Sequence, residues 1–491
     1  MNAKASLETD LVVVGGGIAG LVAANRAAEL GARVLVLEKG EDEHYACNSR
    51  IATGVLNVAH TDPHSDPAVL RQAIEVDTEG HATPELADAL ATTVGRVLAW
   101  LRAEGARMVE VPIHGTNRWM LAPPRTLSAG LDWKGRGPDV LLSTLSANLK
   151  RRGGSLRLGT RARALRMQGE RCTGVTASQG GQALDIAARN VLLADGGFQG
   201  NAQLVERFIS PRPECLTQRS AGSGQGDALI MAEAAGARLT DAKSFYGHLL
   251  CADSLRNPGL WPYPTMDTLV GGSILVDRAG RRFLDEGLGG IALSNALARS
   301  SDPLAATAVF DQAIWEGAGR TELVPPNPKL VSAGGTLLSA PDLATLAAII
   351  EAPAANLAET VATYNRAVLA DAGSTLAPPR TSGRMFGESR GSSKRVGPLP
   401  VLQPPFHAVR IAAGISYTMG GIAIDAQARV IGHDGAPISG LFAAGSCTGG
   451  IEGGPLGGYV GGFLKAATLG LIAAETLGAD LQARADASLS R

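Results

Sequence analysis

The sequence predicts an α/β chain in which a discontinuous, doubly wound nucleotide-binding domain carries an inserted α+β capping domain. Three observations predict it. An apolar run near the amino terminus breaks into clustered glycines, the middle of the chain is rich in Pro-containing loops, and strand signals return from Pro398 onward. At 491 residues the chain also exceeds what one compact core organises.

In chain order, Asp10 to Lys39 reads as strand, tight turn, helix and second strand: the run LVVVGG, a helix-like stretch, then ARVLVLEKG. Apolar and helical segments go on alternating through Pro138 to Arg152 and the strand-like Asn190 to Phe198. Between about Asn201 and Val396 the texture changes to PRPEC, LWPYPT, LVPPNPK and APPRTSG loops around scattered helices and the strand-like SILVDRAGRRFLDE. HAVRIAAGI, GGIAIDAQARVI and LFAAGS then complete the first domain, followed by a Gly-rich loop and a last helix ending near Gly478. The expected boundaries are 1–204 and 397–491 for the nucleotide domain and 205–396 for the cap, with Thr381 to Arg395 as a surface connection.

Composition narrows the function. The formal net charge of -1 favours neither nucleic acid nor a membrane surface. Cys47, Cys172, Cys215, Cys251 and Cys447 lack metal or disulfide spacing, which points away from a metal site and toward a reducing, cytoplasmic setting. The apolar stretch Tyr459 to Ala474 is broken by glycines and Lys465, as in a buried helix rather than a membrane span.

The run Gly15-Gly16-Gly17-Ile18-Ala19-Gly20 fits GxGxxG between a strand and a helix, with Glu38 and Lys39 closing the next strand. Gly15 permits the turn, Gly17 admits a pyrophosphate, Gly20 allows close helix packing, and the helix start at Ile18 and Ala19 directs N–H groups at phosphate. Glu38 suits ribose hydroxyls and disfavours a 2'-phosphate, so NADP is not expected.

The segments Asn48 to Asn57, Leu193 to Phe198, Tyr417 to Gly421 and Gly440 to Gly445, in that order, resemble the fumarate reductase and succinate dehydrogenase flavoprotein superfamily. The resemblance implies FAD, held also by Asn48, Ser49, Gly54, Ala162, Ala194, Gly196, Gly445, Ser446, Pro455 and Leu456, and a cap closing over the flavin. It further implies hydride exchange between flavin N5 and a substrate carbon. The residue matching a covalently attached histidine is Asn48, so the implied FAD is non-covalent. Two family arginines are missing: Gly287-Leu288-Gly289-Gly290 follows Arg282 to Glu286 where a proton donor is expected, and Gly453 to Gly458 replaces a substrate-binding loop.

At the substrate end the chain resembles the 3-ketosteroid dehydrogenase branch. There a tyrosine and a glycine four residues later surround the ketone, a spacing met by Tyr417 and Gly421, while the branch's tyrosine base would fall near Gly290. The proton acceptor must then come from elsewhere or be water, Tyr246 and His248 being the candidate side chains. Arg118, Arg125 and Arg136, clustered near Trp119 and Trp133, are candidate clamps for a carboxylate, and Tyr459 flanks the late Gly-rich loop. A packed tyrosine, polar loop residues and solvated arginines are the structural alternatives.

Three functional readings follow for a small-molecule substrate and an unnamed electron acceptor. The first is an FAD-dependent desaturase that introduces a C=C bond beside the carbonyl of a small cyclic ketone, such as the keto acid 4-oxocyclohexanecarboxylate. The second is a di- or tricarboxylate dehydrogenase or a fumarate reductase-like enoate reductase. The third is a flavin-binding electron-transfer subunit without catalysis of its own.

Overall fold

Both ends of the chain contribute to one eight-stranded sheet, and this joint construction creates the cofactor edge. The computed structural model describes residues 7–113, 116–124, 132–382 and 397–489. Five strands run parallel, in the order Pro437–Ala443, Gln182–Leu193, Leu7–Val14, Val34–Leu37 and Ser155–Arg157. The nearly unbroken apolar runs of the central strands suit a parallel sheet covered on both faces. Val14 pairs with Leu37 and with Leu193, and Leu193 with Ala443, so these carboxyl ends stop at one level. The order reverses about Leu7–Val14, which makes this edge the crevice where an open α/β sheet binds its ligand.

The helix Ile18–Glu29 starts directly after the first strand. An added Cβ on Gly20 would sit 2.0 Å from Gly15 O, which is why only glycine lets the helix pack back so closely. The carboxyl-terminal helix crosses it equally closely, since a Cβ on Gly470 would lie 2.4 Å from Ala19 O. That last helix runs from Gly462 to Leu489, past the expected end near Gly478. None of the described helices is long and apolar enough to cross a membrane.

The cap contains a six-stranded sheet centred on Phe406–Met419, fourteen residues long. This strand belongs to the cap sheet rather than to the nucleotide sheet, so the return across the expected boundary at 397 is completed only at Arg429–Ile431. Its burial on both faces explains the difference: HAVRIAAGI has the pattern of any central strand, and pairing partners decide which sheet receives it. Ser244–Cys251 pairs antiparallel with it and sets Tyr246 opposite Tyr417. A small sheet of Val55–Leu56, Thr116–Leu121 and Met108–Ile113 brings Arg118 to the same side.

Candidate active site

A cavity of ≈ 780 Å³ runs from the carboxyl edge of the parallel sheet into the cap. At the sheet end it is lined by Gly15, Gly17, Ile18, Ala19, Glu38, Lys39, Asn48, Ser49, Gly54, Ala162, Ala194, Gly196, Gly445 and Ser446, all expected cofactor positions. Glu38 is buried, its oxygens accepting the Gly16 and Gly40 N–H groups at 2.8 Å each. These bonds fix the carboxylate and leave lone pairs for ribose hydroxyls. The Ser49 hydroxyl accepts the Ile18 N–H at 3.0 Å, and Lys39 pairs with Asp227 at 3.2 Å.

Two observations test whether this edge fits a dinucleotide. A Cβ added to Gly196 would meet no protein atom within 4 Å, so the backbone there faces open cavity. Asp195 has one oxygen on the Ala228 N–H at 3.1 Å, while its Oδ1 is buried without a partner among the described residues. Burial raises this carboxyl to about 7. An orphaned acceptor beside a bare backbone is what a cofactor rich in hydroxyl and amine donors would satisfy.

The cap end of the cavity brings several titratable side chains together. Tyr246 and His248 project from one strand two residues apart, their rings 5.1 Å apart across a bulge between Tyr246 and Gly247. The Tyr246 hydroxyl lies 2.9 Å from His248 Nε2, and His248 Nδ1 lies 2.5 Å from Asp267 Oδ2. A carboxylate on Nδ1 favours the tautomer whose Nε2 accepts the phenol proton. Burial holds His248 below the ordinary imidazole range; Asp267 partly offsets this, and Arg219 adds to it. Asp267 occupies the space that a side chain at Gly290 would need, because a Cβ there would lie 2.1 Å from its carboxyl carbon.

Arg219, not singled out from the sequence, also lines the cavity. Its Nε donates to Pro262 O at 3.0 Å and its Nη1 to Ser416 Oγ at 2.9 Å, and the guanidinium lies over Tyr263. Glu322 lines the same pocket and accepts from Thr268; burial raises its carboxyl to about 7. His60 was likewise unforeseen in the wall, its ring 4.9 Å from that of Tyr459. No motif marks these three; only their placement does.

A family model described as FAD binding domain matches residues 10–459. The chain belongs to the FAD binding domain family. Its cofactor is FAD, and the flavoprotein is an oxidoreductase acting on CH–CH groups. It is 27% identical over 454 residues to a probable fumarate reductase of Shewanella frigidimarina (strain NCIMB 400), covering 91% of this chain and 71% of that one. It is 31% identical over 341 residues to the 4-oxocyclohexanecarboxylate 2-dehydrogenase of Sinomonas cyclohexanicum, covering 65% of this chain and 56% of that one. The chain thus spans little more than half the length of the latter. In fold it is similar to the 3-ketosteroid Δ1-dehydrogenase of Sterolibacterium denitrificans, with a TM-score of 0.75 at 21% identity over 97% of this chain and 100% of that one.

Several expected positions fall elsewhere in this flavoprotein. Tyr417 lines the cavity, but its hydroxyl donates to Glu452 Oε1 at 3.0 Å. The Gly421 N–H donates to Thr240 Oγ1 at 3.1 Å, and Gly421 does not line the cavity. The pair expected around a ketone is therefore engaged with the protein itself. Pro455 is exposed, and neither it nor Leu456 lines the cavity. Glu452 accepts the Val460 and Gly461 N–H groups at 2.9 and 3.1 Å, which folds the loop so that Tyr459, Gly462 and Phe463 reach the cavity instead. Gly20 serves packing rather than the lining. Arg118 lines the cavity and donates to His60 O. Arg136 is buried away from the lining, donating to Ala52 O at 2.6 Å, and Arg125 lies outside the described residues.

The ribose assignment yields a direct expectation. Glu38→Gln keeps the shape but converts half of a double acceptor into a donor, and should weaken FAD about tenfold or more, roughly the 1.4 kcal/mol of one charge-assisted hydrogen bond. Flavin fluorescence released on dilution measures it; unchanged retention would remove Glu38 from the cofactor site.

Proposed function

We propose that this flavoprotein is a desaturase that introduces a C=C bond beside the carbonyl of a small cyclic keto acid, with FAD bound non-covalently. The observation that carries the reading is the Tyr246–His248–Asp267 relay, with Asp267 occupying the space of a Gly290 side chain. A desaturase needs a proton acceptor at the α carbon, and this relay is poised to be one. The similarity to 4-oxocyclohexanecarboxylate 2-dehydrogenase supports the same substrate class.

The α proton passes to the Tyr246 oxygen as the phenolic proton moves to His248 Nε2, and Asp267 stabilises the resulting imidazolium. Bound FAD supplies the acceptor for the β hydride at N5. Arg219 holds the substrate carboxylate, its own orientation set by Ser416 and Pro262. Asn48 is held by the cap, accepting the Ala221 N–H at 2.9 Å and donating to Ser416 O at 2.8 Å, and its amide has no nucleophile with which to attach a flavin covalently.

The test is anaerobic titration of the holoprotein with 4-oxocyclohexanecarboxylate and, separately, with dicarboxylates. Bleaching of the flavin band by the keto acid supports the reading. A second reading, an enoate or dicarboxylate reductase, draws on two arginines, Arg118 and Arg219, in one cavity. Reoxidation of the chemically reduced flavin by fumarate, without bleaching by the ring ketone, would select it.

Glu322 gives the site a pH signature. Its carboxyl, raised to about 7 by burial, is neutral below that pH and leaves Arg219 free for an anion. Above it the carboxylate repels the substrate, so KM for the keto acid should rise above about pH 7, and Glu322→Gln should abolish the rise. The linkage has the matching sign: the unfolded chain, at the ordinary 4.5, sheds this proton first, so the group costs stability as pH climbs from 4.5 to about 7. A KM profile that Glu322→Gln leaves unaltered would refute the role.

A further inference from the structure

We propose that His60 hydrogen-bonds the substrate ketone, and that a two-residue turn with both central residues in the left-handed region serves to place it there. The inference rests on the cavity being the site of the keto acid, and it supplies the carbonyl partner that Tyr417 and Gly421, both engaged elsewhere, do not.

The turn is unusual for its sequence. Val58 and Thr61 exchange N–H···O bonds of 3.1 and 2.8 Å, closing a hairpin turn over Ala59 and His60, whose φ angles are 45° and 57°. Such turns favour Asn-Gly because a side chain at positive φ crowds the backbone. Ala-His is retained here although both residues are strained, and strain of this kind survives only where the surroundings over-determine it. They do so through residues of the cavity wall and its loop. Asn57 Oδ1 accepts the His60 N–H at 3.1 Å, Val460 O accepts the Ala59 N–H at 2.6 Å, and Arg118 donates to His60 O.

The imidazole then ends a continuous aromatic wall. His60 packs on Tyr459 at 4.9 Å, Tyr459 stacks on Tyr246 at 4.6 Å, and Tyr246 stacks on Tyr417 at 5.2 Å. His60 therefore faces the same pocket as the relay, within electrostatic reach of His248 and Arg118. Burial pushes it down to about 3, with both neighbours adding to the shift, so it stays neutral at working pH. A neutral imidazole suits a hydrogen bond to a ketone, whose developing negative charge strengthens the bond without any proton transfer.

The variant His60→Gly tests this, because glycine adopts the left-handed turn freely while the imidazole is deleted. With 4-oxocyclohexanecarboxylate as the probe, we expect kcat/KM to fall about 100-fold. Bound FAD should be unchanged, Tm should equal or exceed that of the parent, and added imidazole should restore activity at least tenfold. Unchanged kcat/KM, or a loss that tracks a lower Tm or lost flavin, overturns the assignment. Should the parent holoenzyme not bleach with the keto acid, the proposed desaturation falls by itself. The placement of His60 is then read by imidazole alone: a flavin-band shift in His60→Gly but not in the parent supports it, and no shift overturns it.

Discussion

Tyr246→Phe is expected to slow anaerobic flavin reduction by the keto acid about 10²–10⁴-fold, the range for losing a positioned acid–base group, with FAD binding and the ring stack intact. Phenylalanine keeps the contacts with Tyr417 and Tyr459 and removes only the oxygen that bonds His248. His248→Ala and Asp267→Asn should cost less than the sum of their separate effects when combined with it, because the three side chains act as a unit. The acid limb of the parent's kcat/KM profile should lie below the ordinary 6.5 of a histidine, since His248 must be neutral to accept the proton and burial favours that form. Stopped-flow absorbance checks each point. A Tyr246→Phe enzyme of near-parental rate would remove the relay from the mechanism.

Lys465→Met is expected to cost about 3–5 kcal/mol of stability, the range for leaving one partner of a buried ion pair uncompensated. Lys465 and Glu452 are 3% and 1% exposed and paired with each other, and Glu452 also accepts Tyr417, Val460 and Gly461. Removing the ammonium leaves a carboxylate in an apolar helix–loop junction. Adding Glu452→Gln should recover part of the loss by neutralising that charge, while Tyr417 and the loop keep an acceptor. Denaturant unfolding of the holoprotein measures both. A single variant within 1 kcal/mol of the parent would mean that water or rearrangement already screens Glu452.

Legibility followed the distance over which a residue is positioned. Gly15, Gly17 and Glu38 were readable because turn, helix start and strand end lie within one contiguous unit whose geometry is local. Tyr246 and His248 were named from their place in the cap ahead of SILVDRAG, whereas the strand Ser244–Cys251 that carries both on one face appeared only in the structure. Asp267 at a helix start, and Arg219, Glu322 and His60 in connecting segments, were not legible, because a lone carboxylate, guanidinium or imidazole has no local sign of what it will face. Tyr417 and Gly421 show the converse. Their spacing was visible, but the groups that take their hydrogen bonds, Glu452 and Thr240, lie 35 and 181 residues away.

The sequence by itself therefore determined the α/β class and the strand–turn–helix unit around the glycine run, because both depend on backbone geometry and periodicity within a few residues. Only the tertiary structure decided which sheet takes Phe406–Met419, which glycine loop reaches the cavity and which carboxylate stands where Gly290 has no side chain. Those outcomes depend on packing and buried hydrogen-bond partners contributed by distant segments, and such partners exist only once the chain has folded.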